Sequence, residues 1–194
     1  MEEGVMPGLM DKAGELGLLG VNIPEEYGGL GMSVNTGMLI ADIMAAAGSF
    51  STAYGAHTGI GTLPILYYGT EEQKKKWLEP LGKVDAIGCF GLTEPDYGSN
   101  PAGMQTTAVK TPSGYRISGS KSWITNGTMA NVSIIWAKTE EGIRGFLVET
   151  DRKGFEAKSL KGKVVCTPPL PCIPMAKSDN DISESELYWC EPFL

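Results

Sequence analysis

With 194 residues, 42% of them hydrophobic, the chain is long enough for one or two domains around a genuine core. Its 16 Lys and Arg against 23 Asp and Glu give a net charge of −7, which opposes a general role in binding nucleic acid, because phosphate repels an acidic surface. No run of about 18 apolar residues suggests a membrane span, and the Met1-Glu2-Glu3 start lacks the basic and apolar zones of a signal or transit segment, so a soluble intracellular protein is expected.

Residues 5 to 18 place apolar side chains at positions 6, 9, 10, 13 and 16, which is helical spacing, and Gly17 suits a C-terminal cap. The stretch from Asn22 to Gly31, with Pro24 and three glycines, forbids a continued helix and reads as a rigid loop. Residues 33 to 47 carry Met38, Leu39, Ile40, Ile43 and Met44, apolar nearly all round, so a buried helix is expected. A third helix is expected over Ser51 to Tyr68, interrupted by Gly55, Gly59, Gly61 and Pro64. Glycines inside a helix cost about 1 kcal/mol each against Ala and point to close backbone approach or a nearby ligand, and Pro64 fits only a kink or a first turn. His57, the sole histidine, has no acid near it in sequence, and a packing or surface role is expected over that of a general base. Thr70 followed by Gln73 reads as a capping box with Glu71 and Glu72 in the first turn, opening a helix to about Leu81 with Trp77, Leu78 and Leu81 inward and the Lys74 to Lys76 run in solvent.

After Ala86 the apolar period changes from near 3.6 to near 2. Residues 106 to 111, 115 to 119, 132 to 138, 144 to 149 and 155 to 160 read as short strands joined by turns, which suggests an antiparallel barrel. From Val165 the prolines at 168, 169, 171 and 174 oppose a regular ladder, and Ser178 to Glu186 is acidic and polar, so an irregular or disordered tail is expected. Pro168-Pro169-Leu170-Pro171 also matches a proline-recognition ligand, a short match that arises easily by chance. Cys89, Cys166, Cys172 and Cys190 form no CxxC pair, and reduced thiols rather than zinc ligands are expected.

The residues with most chemistry lie between Cys89 and Ser99. An apolar run, Ile87 to Leu92, enters a segment holding Thr93, Pro95, Gly98 and Ser99, the way a strand delivers backbone N–H groups to a ligand. Singly, Thr93 and Thr125 read as ordinary strand residues, Trp123 as core and Ser99 as a turn cap. Together they resemble the flavin-binding signature of the acyl-CoA dehydrogenase family. There a short strand ends in Leu-Thr-Glu-Pro, as Leu92 to Pro95 does, and a Gly-Ser pair follows. The second signature, Lys121-Ser122-Trp123-Ile124-Thr125-Asn126-Gly127, lies at the distance such proteins place it. The resemblance runs from about residue 8 to 163 and fails from Val164.

It implies an α+β fold: an N-terminal α-helical domain over residues 1–85, incomplete at its start, an antiparallel β-barrel over 86–163, and a tail over 164–194. The C-terminal helical domain that carries the family's base, a glutamate, is expected to be missing, as in a truncated form. The implied chemistry is that of a flavoprotein oxidoreductase of fatty acid metabolism. FAD takes a hydride from the β carbon of an acyl-CoA thioester while a base removes the α proton. Carried over, the cofactor-binding residues are Phe90, Gly91, Leu92 and Thr93, with Trp123 against the ring, Ile124 beside it and the Thr125 hydroxyl at its edge. Ser99 stands at the cofactor phosphates or the thioester substrate. Implied partners are acyl-CoA, an electron acceptor such as an electron-transfer flavoprotein, and a second copy in a homo-oligomer if complete. The implied compartment is the cytoplasm, or the mitochondrial matrix in a eukaryote.

Branch signals divide. The first 80 residues, including Gly55 to Gly61, whose small residues would leave room for an extended acyl tail, resemble the very-long-chain branch. Residues 87 to 163 resemble the glutaryl-CoA branch, yet Ser51 stands about where that branch places a carboxylate-holding arginine, against glutaryl specificity. Glu94 and Asp96 would suit acid/base work, but the sequence offers no second charge to tune them. The rival readings are a non-catalytic flavin or acyl-CoA binding fragment and a structural fragment that binds nothing.

Overall fold

A computed structural model describes residues 5–159, 171–175 and 187–188. Two compact units part at Gly88, just past the change of period. The first is helical. In α1 (Val5–Glu15) the residues Met6, Met10 and Ala13 are buried, one stripe at helical spacing, and Gly17 turns the chain in the left-handed region at φ 73°, the conformation a helix end favours in glycine. Leu19, Val21 and Ile23 add to the core. The loop after them is pinned by backbone bonds from Leu30 N–H to Gly20 O, Gly31 N–H to Ile23 O and Met32 N–H to Val21 O. A Cβ at Gly29 would lie 2.1 Å from Ile23 O, so this close turn requires glycine.

Helix α2 (Val34–Met44) corrects an expectation: none of its residues is buried, and Val34, Met38, Leu39 and Ile43 face solvent. An all-round apolar sequence records a demand for burial, and nothing among the described residues meets it. The expected third helix is broken into α3 (Ser49–Gly55), a π-helical turn (Ala56–Ile60) and α4 (Leu63–Tyr68). Pro64 sits in the first turn of α4, where its missing N–H costs nothing. Gly61 is a packing glycine, since a Cβ there would come within 2.9 Å of the Gly88 backbone, whereas Gly55 and Gly59 face open space. Helix α5 (Glu71–Lys83) opens with the full capping box: Gln73 N–H donates to Thr70 Oγ1 at 3.2 Å and Thr70 N–H to Gln73 Oε1 at 3.0 Å. Leu78 and Leu81 are buried; Trp77 is only half-buried, with Lys76 Nζ 5.2 Å above its ring.

The second unit is a curled sheet of eight strands among the described residues, ordered β6-β7-β3-β2-β4-β5-β8 with β1 paired to β4. The strands are β1 (Gly88–Gly91), β2 (Thr107–Thr111), β3 (Gly114–Lys121), β4 (Val132–Thr139), β5 (Gly142–Glu149), β6 (Lys158–Ser159), β7 (Pro171–Met175) and β8 (Leu187–Tyr188). Pairing is antiparallel in the β2–β3 and β4–β5 hairpins, with one parallel bridge, Thr107 to Lys138. Inward residues build one core from Cys89, Ala108, Ile117, Ile124, Ile135, Ala137, Phe146 and Val148. Of the tail expected to be irregular, the described parts are β7, paired with β3 and β6, and β8, paired with β5. Residues 168–170 of the proline motif, whose last residue Pro171 opens β7, the acidic stretch 178–186, and the side chains of Cys166, Cys172 and Cys190 lie outside the described residues.

Candidate functional site

Every residue singled out for ligand binding lies in the sheet unit. Strand β1 ends at Gly91 and the chain departs as a loop to Thr106; β3 ends at Lys121 and enters the turn from Ser122 to Gly127. These two departures meet. Ser122 N–H donates to Thr93 O at 2.8 Å, and Lys121 Nζ donates to Leu92 O at 3.0 Å.

Within this junction the side chains divide by role. Gly91 is buried, and a Cβ there would lie 2.6 Å from Ile135 Cδ1 and 3.4 Å from Lys121 Cγ, so glycine lets the strand and the lysine stem pass. Phe90 is half-buried, its ring 5.9 Å from that of Trp136, whose buried Nε1 has no hydrogen-bond partner among the described residues. Trp123 has φ 63°, a left-handed conformation uncommon for a bulky residue, and is 39% exposed. Ile124 turns the other way and is 2% exposed within the sheet core, so its backbone is what a ligand would meet. Thr93 and Thr125 are half-buried, and among the described residues neither hydroxyl has a protein partner. Hydroxyl and aromatic side chains of this kind are chemically suited to a flat heterocycle with polar edges, as a flavin is.

The carboxylates behave differently from the sequence expectation. Glu94 is 4% exposed and does have a second charge: Lys121 Nζ lies 2.9 Å from its Oε1, and that lysine is fully buried. Gln105 N–H donates to Glu94 Oε2 at 2.6 Å and Thr106 N–H to Oε1 at 2.9 Å. Burial is the largest influence and opposes ionisation, but the Gln105 amide, the Lys121 ammonium and Thr106 outweigh it and hold the carboxyl at about 2. Burial lowers the Lys121 pKa, and Glu94 counters part of that. A carboxylate so engaged is no proton acceptor at neutral pH. Nothing in composition marks this pair; its one trace is that Glu94 stands in one motif and Lys121 opens the other.

From Glu94 the loop folds on itself. Glu94 and Tyr97 exchange backbone bonds at 3.2 and 3.3 Å, and the Tyr97 ring covers Gly103, where a Cβ would lie 2.3 Å from it. Gln105 Nε2 donates to Tyr97 OH at 3.2 Å and Gly103 O at 2.8 Å. Gly98, Ser99 and Asn100 form the exposed crest. Ser99 is thus presented to solvent by a braced loop.

Two other reactive groups are occupied. In the helical unit His57 is fully buried, with Nε2 2.9 Å from Leu81 O and Nδ1 accepting Gly88 N–H at 3.1 Å. The proton therefore sits on Nε2, and burial, only partly countered by the Leu81 carbonyl, pushes the pKa down to about 4. In the sheet unit burial raises the Cys89 thiol to about 12, which makes it inert at neutral pH. Among the described residues no three His, Cys, Asp or Glu side chains are grouped to hold a metal ion.

Comparison with known proteins gives the same outline. The family model described as acyl-CoA dehydrogenase, N-terminal domain, matches residues 1–85, and that described as the middle domain matches 89–167. A probable acyl-CoA dehydrogenase of Bacillus subtilis (strain 168) is 48% identical over 149 residues, covering 75% of this chain and 25% of its own length. An acyl-CoA dehydrogenase from Bacillus anthracis, solved in complex with FAD, superposes with a TM-score of 0.88 at 37% identity over 94% of this chain and 32% of its own. A glutaryl-CoA dehydrogenase of Mycobacterium smegmatis, solved with FADH2, gives 0.86 at 38% identity over 93% and 47%. The chain thus spans between a quarter and a half of the length of these relatives.

Proposed function

The chain belongs to the acyl-CoA dehydrogenase family, and from that premise we propose that it forms the flavin-holding part of an FAD-dependent enzyme that dehydrogenates an acyl-CoA thioester between its α and β carbons. When bound, FAD supplies the two-electron acceptor that no side chain provides. The chain's own residues bind and orient it. Thr93 and Thr125 would offer it hydroxyls, backbone amides from Phe90 to Thr93 would donate to it, and Trp123 would cover its ring. Ser99, on its braced crest, meets the phosphates or the thioester.

The observation that carries this reading is the junction itself: Ser122 N–H on Thr93 O at 2.8 Å. The electron acceptor we propose is an electron-transfer flavoprotein, and the working state a homo-oligomer of the complete protein. Among the described residues no helix is long and apolar enough to cross a membrane.

Because Glu94 and His57 are both committed to internal bonds, a second reading, a flavin-binding piece that does not itself remove the α proton, also has support. Purification with FAD followed by titration with acyl-CoA of several lengths separates the two. A retained flavin spectrum bleached by acyl-CoA supports dehydrogenation by this chain, and a retained spectrum that does not bleach supports the binding piece. A chain that emerges colourless contradicts both.

A further inference from the structure

We propose that the Glu94–Lys121 ion pair is the positioning element of the site, holding Leu92–Thr93 against Ser122–Thr125 and fixing the loop on which Ser99 stands. The proposal rests on the flavin reading above. One carboxylate closes both ends of the loop: Glu94 begins it, while the N–H groups of Gln105 and Thr106, at its far end, bind Oε2 and Oε1 at 2.6 and 2.9 Å. One ammonium then ties that loop to the second segment, through Glu94 Oε1 at 2.9 Å and Leu92 O at 3.0 Å. Lys121 precedes Ser122, whose N–H holds Thr93 O, and Trp123, so the ammonium is bonded beside Thr93 on one segment and lies beside Trp123 on the other.

Burying two charges is a poor way to gain stability, since desolvation offsets the attraction and an apolar pair often serves as well. What an ion pair with four directed bonds does supply is a single registration of two segments. Glu94 and Lys121 are themselves buried, so they act through Thr93, Trp123 and Ser99.

The test compares Glu94→Gln, Lys121→Met and the double variant, which removes both charges together, with Val148→Ala, a core change in the same unit. FAD dissociation constants, melting temperatures and amide exchange at Gln105, Thr106 and Ser122 are measured on each. The pair variants are expected to bind FAD about tenfold or more weakly, with faster exchange at those three amides. Val148→Ala is expected to melt earlier yet bind FAD as the unchanged chain does. Should a single variant fail to fold, the double variant carries the comparison. Unaltered FAD affinity in the pair variants overturns the positioning role, as does an equal loss in Val148→Ala. Absence of FAD binding by the unchanged chain overturns the flavin reading and the positioning role together.

Discussion

His57 illustrates how one buried side chain sets a pH limit. Its folded pKa is about 4 against 6.5 in the open chain, so the unfolded state takes up a proton first on acidification. The stabilisation is whole above pH 6.5 and is lost as pH falls towards 4, by roughly 3 kcal/mol. Urea unfolding between pH 7.5 and 4 should display that slope, and His57→Gln should flatten it; an equal slope in the variant would contradict the assignment. Lys121→Met should cost about 3–5 kcal/mol because it leaves the Glu94 carboxylate buried without its counter-charge, measurable by the same unfolding; a loss under about 1 kcal/mol would contradict the pairing. Neither property was legible in the sequence. The bonds of His57 run to Leu81 and Gly88, and Glu94 meets a lysine 27 residues away, contacts that only the tertiary fold creates. What was legible at this scale was local: the hydroxyls, the indole and the glycine of the two motifs.

At the scale of elements, glycines with the same helical neighbourhood should respond oppositely to substitution. Gly61→Ala would force a Cβ to within 2.9 Å of Gly88 backbone and should destabilise by about 1–3 kcal/mol. Gly59→Ala meets nothing within 4 Å and should stabilise by about 0.5–1 kcal/mol. Melting curves of the two variants check the sign, and equal shifts would contradict the packing role of Gly61. The exposed face of α2 gives a second test. Met38→Ser, Leu39→Ser and Ile43→Ser should each change stability by less than about 1 kcal/mol while reducing binding of a hydrophobic dye. A loss of 2 kcal/mol or more, flagged by urea unfolding, would mean the face is covered in solution. The capping box at Thr70 and Gln73 was readable because both partners lie within one turn. The burial of α2 was misread because apolar composition says that a helix needs a cover, not that the cover is among these residues.

For the whole molecule, the two units carry separate acid-sensitive groups. The stabilisation from neutral His57 in the helical unit is lost as pH falls from 6.5 towards 4, whereas Glu94 in the sheet unit keeps its stabilisation until pH falls below 4.5 towards 2. Amide exchange at pH 5 should therefore show α5 losing protection before β4 and β5; the reverse order would contradict this division. The succession of a helical part and a sheet part was legible because the hydrophobic period itself changes near Ala86. The meeting of β1 and β3 at one junction was not legible in that period, which says nothing of which strand ends converge; it was expected only from the resemblance of the two motifs to one flavin-binding signature. The central claim, that this junction holds a flavin, is tested most directly by an equilibrium FAD titration of the unchanged chain beside Thr93→Val and Thr125→Val. A saturable complex weakened in each variant by about 1 kcal/mol, near fivefold, is expected. Saturable binding that neither substitution weakens would contradict it.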